Sequence, residues 1–169
     1  MKETNLTSRR PTAGRRLSGH AQDDHILDPY QLQEKLHEPT VCPQCGAVYR
    51  HGRWHWATRP EEGVEAHCPA CRRINDKFPA GIVHFHGHFE QQRIEEIVNL
   101  ARHQEQAEKG EHPLNRIISI DEDAQGIVIR TTDIHLPRRI GEAAKHAFHG
   151  TLDEHFDEGG YFVRVDWRA

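Results

Sequence analysis

Long apolar runs are missing from this chain. No stretch approaches the ~18 residues of a membrane-spanning helix, so no membrane contact is expected. Cysteine is scarce: all four sit in two C-x-x-C pairs, which leaves no spare thiol for a nucleophile. Serine is nearly absent from the body of the chain. Ser119 is the only one after residue 18, so a Ser/His/Asp set has nothing to start from. No Gly-rich phosphate loop or internal repeat occurs, and no pair of carboxylates is singled out for acid/base work. The expectation is a protein that is not an enzyme. Met1–His20 lacks signal-peptide character, which points to a reducing, cytoplasmic setting and away from disulfides.

A positive net charge is lacking as well. The formal charge of −4 argues against general coating of nucleic acid, although fifteen histidines make that figure pH-dependent. The charge is uneven. Residues 1–20 carry Lys2, Arg9, Arg10, Arg15 and Arg16 against Glu3, a net +4 that leaves −8 on the remainder. A basic arm on an acidic body suits contact with nucleic acid or an acidic partner. With 36% hydrophobic and 28% charged residues, the chain is polar for one compact core. Residues 1–24 read as a disordered basic tail, 25–39 as a short helix, 40–76 as a metal-held ribbon and 77–169 as the globular domain.

The cysteines that are present carry the strongest signal. Cys42-Pro43-Gln44-Cys45 and Cys68-Pro69-Ala70-Cys71 are separated by 22 residues. Two C-x-x-C turns at such a distance supply four thiolates to one tetrahedral centre, with Zn–S bonds of about 2.3 Å. An iron–sulfur cluster also takes four thiolates, and a thioredoxin-type dithiol needs only one pair. The spacing favours structural Zn2+ on Cys42, Cys45, Cys68 and Cys71. Four protein ligands close the site, so the ion is not expected to be catalytic.

Before the ribbon, Asp28-Pro29 followed by Tyr30, Leu32 and Leu36 reads as a capped helix ended by Pro39. Within the ribbon, Ala47–Tyr49 and Arg53–Trp56 read as a hairpin about His51-Gly52. Trp54 and Trp56 alternate onto one strand face, where they either cover the small core or form a stacking surface beside Arg50 and Arg53. After Phe78 the periodicity changes. Strands are expected at Gly81–Phe89, Arg116–Asp121, Gly126–Thr132 and Tyr161–Trp167, with helices at Phe89–Lys109 and His135–His149. The order β-α-β-β-α-β is the ferredoxin-like pattern of an α+β sandwich, with both helices on one side of an antiparallel sheet.

Alternation sorts the strand faces. Val83, Phe85 and Phe89 belong with Val163, Val165 and Trp167 in the core. Ile82, His84, His86 and His88 look outward, joined by Phe162, Arg164, Asp166 and Arg130. Such an open face suits single-stranded RNA, a protein partner or a homodimer. The H-x-H-x-H run also admits a second metal, and with it a metal-dependent enzyme. Alternate strand residues lie about 7 Å apart, however, and no carboxylate is close in sequence. In the segment Thr131–Gly141, Asp133 is the expected helix cap, and His135, Arg138 and Arg139 would face an anion at the helix N-terminus.

Taken together, C-P-x-C-G-A-V-Y, G-R-W-x-W, C-P-A-C-R-R, P-A-G, T-T-D-I-H-L and R-R-I-G resemble a group of small bacterial zinc-ribbon proteins over roughly residues 40–150. The second cysteine pair and the strand after it are distantly similar to the amino-terminal part of the ribosome-export adaptor nonsense-mediated decay protein three. That adaptor carries more C-x-x-C pairs than this chain, so a nuclear-export role is not implied. The resemblance implies a ribosome- or RNA-linked binding module and carries over only the four cysteines as ligands. The reading is a non-enzymatic zinc protein that binds RNA, with a protein–protein adaptor as the alternative. Arg53, Trp54, Trp56, His84, His86, His88, Arg130, Arg138, Arg139 and Arg164 are its candidate contacts.

Overall fold

A computed structural model describes residues 28–30 and 35–169 of the chain. The expected tail at 1–24 and residues 25–27 and 31–34 of the expected helix at 25–39 lie outside the described residues. Asp28–Tyr30 form a turn, and residues 35–37 have no regular secondary structure.

Among the described residues the fold is mixed α+β, with two sheets and three helices. The smaller sheet is the ribbon. Its strands are β1 (Thr40–Val41), β2 (Val48–Arg50), β3 (Arg53–His55) and β4 (Val64–Glu65), in the order β3-β2-β1-β4. The hairpin of β2 and β3 matches the alternation of its sequence. The short strands β1 and β4 were not expected, since two residues carry no period. Their pairing brings the chain segments before each cysteine pair side by side.

Helix α1 (Pro69–Asp76) follows the second cysteine pair directly. Pro69 occupies its first turn, where a missing N–H costs nothing. Cys68 caps it by accepting from the Cys71 N–H, and Lys77 closes it in the left-handed conformation. Its inner face buries Arg73, which is 2% exposed and meets the Asp28 carboxylate at 2.5 Å while its guanidinium lies over the Tyr30 ring.

The larger sheet holds β5 (Gly81–His86), β6 (Ile117–Asp123), β7 (Gly126–Thr131), β8 (Thr151–Phe156) and β9 (Val163–Arg168), in the order β6-β7-β5-β9-β8. Helices α2 (Gln91–Glu111) and α3 (His135–Phe148) cover one face. Ile97 and Ala101 of α2 and Leu136, Ile140 and Ala144 of α3 pack on Val83, Phe85, Ile127, Ile129, Val163, Val165 and Trp167. This is the face that alternation assigned to the core. Helix α2 runs through Gly110 to Glu111, since one glycine costs only ~1 kcal/mol inside a helix.

Two features depart from the simple β-α-β-β-α-β order. An additional strand, β8, follows α3, and β9 returns from it to lie between β8 and β5. There β9 pairs parallel to β5, whereas β5 with β7, β7 with β6 and β9 with β8 are antiparallel. Strand β8 was overlooked because Thr151–Phe156 alternates polar and apolar residues weakly and exposes Phe156.

Candidate metal centre and adjoining cleft

Two different local structures bring the four sulfurs together. Cys42 and Cys45 lie in the turn between β1 and β2, closed by hydrogen bonds from Cys42 N–H to the Ala47 carbonyl and from Gly46 N–H to the Cys42 carbonyl. Cys68 and Cys71 open helix α1. Cys42, Cys68 and Cys71 are fully buried, and Cys45 is half-buried. One sulfur from each residue fits within a cluster no wider than 4.8 Å, and Cys45 and Cys68 Sγ are 3.7 Å apart. A tetrahedron with ~2.3 Å metal–sulfur bonds has edges of about 3.8 Å, so the cluster is sized for one ion. No two of these cysteines are joined in a disulfide.

The surrounding groups suit thiolates. Cys68 N–H donates to Cys42 Sγ at 3.3 Å, and Cys71 N–H donates to Cys68 Sγ at 3.4 Å. Arg116 reaches in from just before β6 and donates to Cys68 Sγ at 3.3 Å and Cys71 Sγ at 3.2 Å. Without a cation the sulfurs must share protons. A hydrogen bond from Cys68 holds Cys45 down to about 4, while that same bond and burial push Cys68 up. Burial also raises Cys71. A divalent ion would displace these protons and hold the sulfurs by charge instead.

Arg116 is the residue at the cysteine cluster that sequence reasoning missed. It lies 45 residues beyond Cys71, and nothing in its neighbours marks it. Being only 8% exposed, it makes sense as a counter-charge to a tetrathiolate centre. Replacing it by glutamine is expected to weaken metal binding ~10–100-fold, as loss of an outer partner does elsewhere. Competition with a chromophoric chelator measures this, and unchanged affinity would contradict the role.

The other candidate residues are distributed over several surfaces. Trp54 is buried in the ribbon core, edge-on to Tyr49 at 5.6 Å, whereas Trp56 is 39% exposed and donates its Nε1–H to the Lys109 carbonyl at 2.6 Å. The two tryptophans therefore divide the work: one fills the module, the other pins it to the end of α2. Arg53 is exposed. His84 and His86 are adjacent on the outer face of β5, but Gly87, at φ +138°, breaks the alternation and sends His88 out of the row. Arg130 on β7 is bound by Asp121 at 2.6 Å. Arg164 is exposed on β9, its Cα opposite Ile82. Arg138 and Arg139 stand on α3, on the other side of the sheet, paired with Glu154 at 2.8 Å and Glu108 at 2.6 Å. Asp133 Oδ2 accepts from the His135 and Leu136 N–H groups, as expected of a cap.

A cleft of about 710 Å³ opens where the ribbon meets the α+β domain. Tyr30, Tyr49, Trp54, Leu114 and Tyr161 give it an apolar wall, and Arg53, Asn115 and Asp133 contribute polar groups. Two of its lining residues hold buried polar atoms with no partner among the described residues: Trp54 Nε1, a donor, and Asp133 Oδ1, an acceptor. Burial raises the Asp133 pKa against the two N–H groups that it caps. None of the described helices is long and apolar enough to cross a membrane. Comparison with protein-family models, curated proteins and solved structures finds no match for the chain.

Proposed function

We propose that the chain is a zinc-stabilised docking protein. Zinc on Cys42, Cys45, Cys68 and Cys71 holds the ribbon rigid, Arg116 and Trp56 tie it to the α+β domain, and the cleft at the joint receives an extended segment of a protein partner. The cytoplasm is the compartment that suits reduced thiols. We read the domain itself as a ferredoxin-like split β-α-β unit, β5-α2-β6 with β7 between, enlarged by β8.

The observation that carries this reading is the cleft's mismatched pair of polar atoms. A buried donor and a buried acceptor left unpaired cost ~1–3 kcal/mol each. Both atoms are shielded from solvent, so a peptide group reaches them only when the lining shifts; its carbonyl and N–H are then the complement of Trp54 Nε1–H and Asp133 Oδ1. The aromatic wall supplies apolar burial beside them.

RNA binding is the second reading, and one observation favours it. Arg50 and Arg53 are paired across the β2–β3 hairpin and both are exposed. With the basic residues 1–20 they could track phosphates, in the manner that the resemblance to ribosome-linked proteins implies. Against it, Arg130, Arg138 and Arg139 are engaged by carboxylates, and the outer face of the sheet adds Asp123, Asp153 and Asp166.

The readings separate in one experiment. The tagged full chain is recovered from its own cells with and without nuclease, alongside the double variant Trp54→Phe/Asp133→Asn. Phe keeps the bulk without the N–H, and Asn keeps the helix cap while turning the orphan acceptor into a donor. Docking predicts a protein that survives nuclease and falls at least tenfold in the variant. Recovery that disappears with nuclease, or that the variant leaves unchanged, overturns it.

A further inference from the structure

On the outer face of the larger sheet, away from the cysteines, β5 and β9 run parallel with His84 opposite Asp166. His86 follows on the same face, and its Nε2 meets Asp166 Oδ1 at 2.5 Å. The two imidazoles stack with centroids 3.7 Å apart. The ligand atoms of all three side chains lie within 4.8 Å of one another. The ~7 Å spacing of alternate strand residues therefore does not keep the rings apart, because both lean toward the same point.

His84 is 7% exposed, and its Nε2 is buried with no hydrogen-bond partner among the described residues. The nearest carboxylate oxygen recorded for it, Asp123 Oδ1, is 3.9 Å away, outside hydrogen-bond range. A buried ring nitrogen without a partner is an anomaly in a finished fold, and it is also the lone pair that a metal takes.

We propose that His84, His86 and Asp166 form a second metal site, for a divalent transition-metal cation. Two imidazole nitrogens and one carboxylate oxygen suit zinc, cobalt(II) or iron(II). Magnesium and calcium prefer all-oxygen sites. The cation displaces to solvent the proton that His86 and Asp166 share, and occupies the unpartnered nitrogen of His84. Asp123, from the β6–β7 hairpin, stands close enough to serve as a fourth ligand or to receive a metal-bound water. Arg168, the neighbour of Asp166 two residues along the same face, is drawn off by Asp153 at 3.1 Å and so does not compete for Asp166. His86 is 25% exposed, which gives an ion a path from solvent. Three protein ligands leave positions open, so this site is of the open class, unlike the closed set of four thiolates.

The site shares no residue with the cleft or the cysteines, so its test is independent of the docking reading. The full reduced chain is first given one equivalent of zinc, which four thiolates take ahead of a three-ligand site, confirmed by loss of thiol reactivity and absence of free zinc. Cobalt(II) is then titrated and followed by visible absorption. The expected result is one further saturable equivalent, with weak ligand-field bands and no thiolate charge-transfer band. It is expected to disappear in His86→Ala and in Asp166→Asn and to persist in His88→Ala. Absence of a second equivalent in the unaltered chain, or its persistence in both ligand variants, overturns the proposal. Should either variant lose its fold, the unaltered chain still decides. Bound cobalt must broaden the ring signals of His84 and His86 ahead of those of His88, and equal broadening of all three overturns the site.

Discussion

Replacing Cys42 by serine will melt the ribbon while leaving the larger sheet folded. The ribbon's buried cluster consists of Ala47, Tyr49, Trp54 and Ala70 besides three of the cysteines. That is too little apolar area to offset the ordering of residues 40–76. Metal binding contributes ~10–16 kcal/mol in small zinc-held peptides, comparable to the whole stability of an ordinary domain. Cys42 is fully buried and receives the Cys68 N–H, so serine there removes a ligand at the point where the two halves of the site join. Amide hydrogen exchange is the measurement. Protection across β1–β4 and α1 is expected to fall to near that of an unfolded chain, while β5, β7 and β9 stay protected. Chelation of the unaltered protein should give the same pattern. A ribbon that remains protected after complete metal removal would contradict the account.

The second large effect concerns Gly126. It begins β7 at φ +144°, a conformation that side-chain-bearing residues rarely adopt. A Cβ placed there would come 1.8 Å from the Phe85 carbonyl oxygen, a backbone atom in the centre of the sheet. Neither strand can retreat, because Gly126 pairs with His86 on one side and Asp123 on the other. Gly126→Ala is therefore expected to cost ~3–4 kcal/mol, among the larger effects of a single substitution. Urea denaturation of the metal-loaded chain reads it as a lower midpoint. The same variant should strain the backbone at His86, the residue that Gly126 faces across the β5–β7 pairing. A loss under ~1 kcal/mol would show that the hairpin relaxes freely.

The legible parts of the fold were those with a long period. Helices α2 and α3 repeat apolar residues over several turns, and β5 alternates cleanly enough to place Val83 and Phe85 inward and His84 and His86 outward. Strands β1 and β4 have two residues each and exist because their partners are present. Helix α1 hid behind its cysteine signal, although Pro69 after a capping Cys68 was a readable start. The cysteine cluster was legible because C-x-x-C is a local geometric statement. Arg116 was not, because its role arises from a contact 45 residues away in sequence. Asp166 falls between these cases. Alternation already put it on the outer face, but only the parallel register of β5 and β9 sets it opposite His84. That register follows from β8, the strand that sequence pattern overlooked.

The placement of β9 has a consequence for biosynthesis. This strand is made long after β5, yet it sits in the interior of the sheet and supplies Val163, Val165 and Trp167 to the core. During translation β5 can pair with β7 while its other edge waits, uncovered, for a strand some eighty positions downstream. Completion of the sheet is therefore a long-range event, and the nascent chain carries that unpaired edge until β9 has emerged.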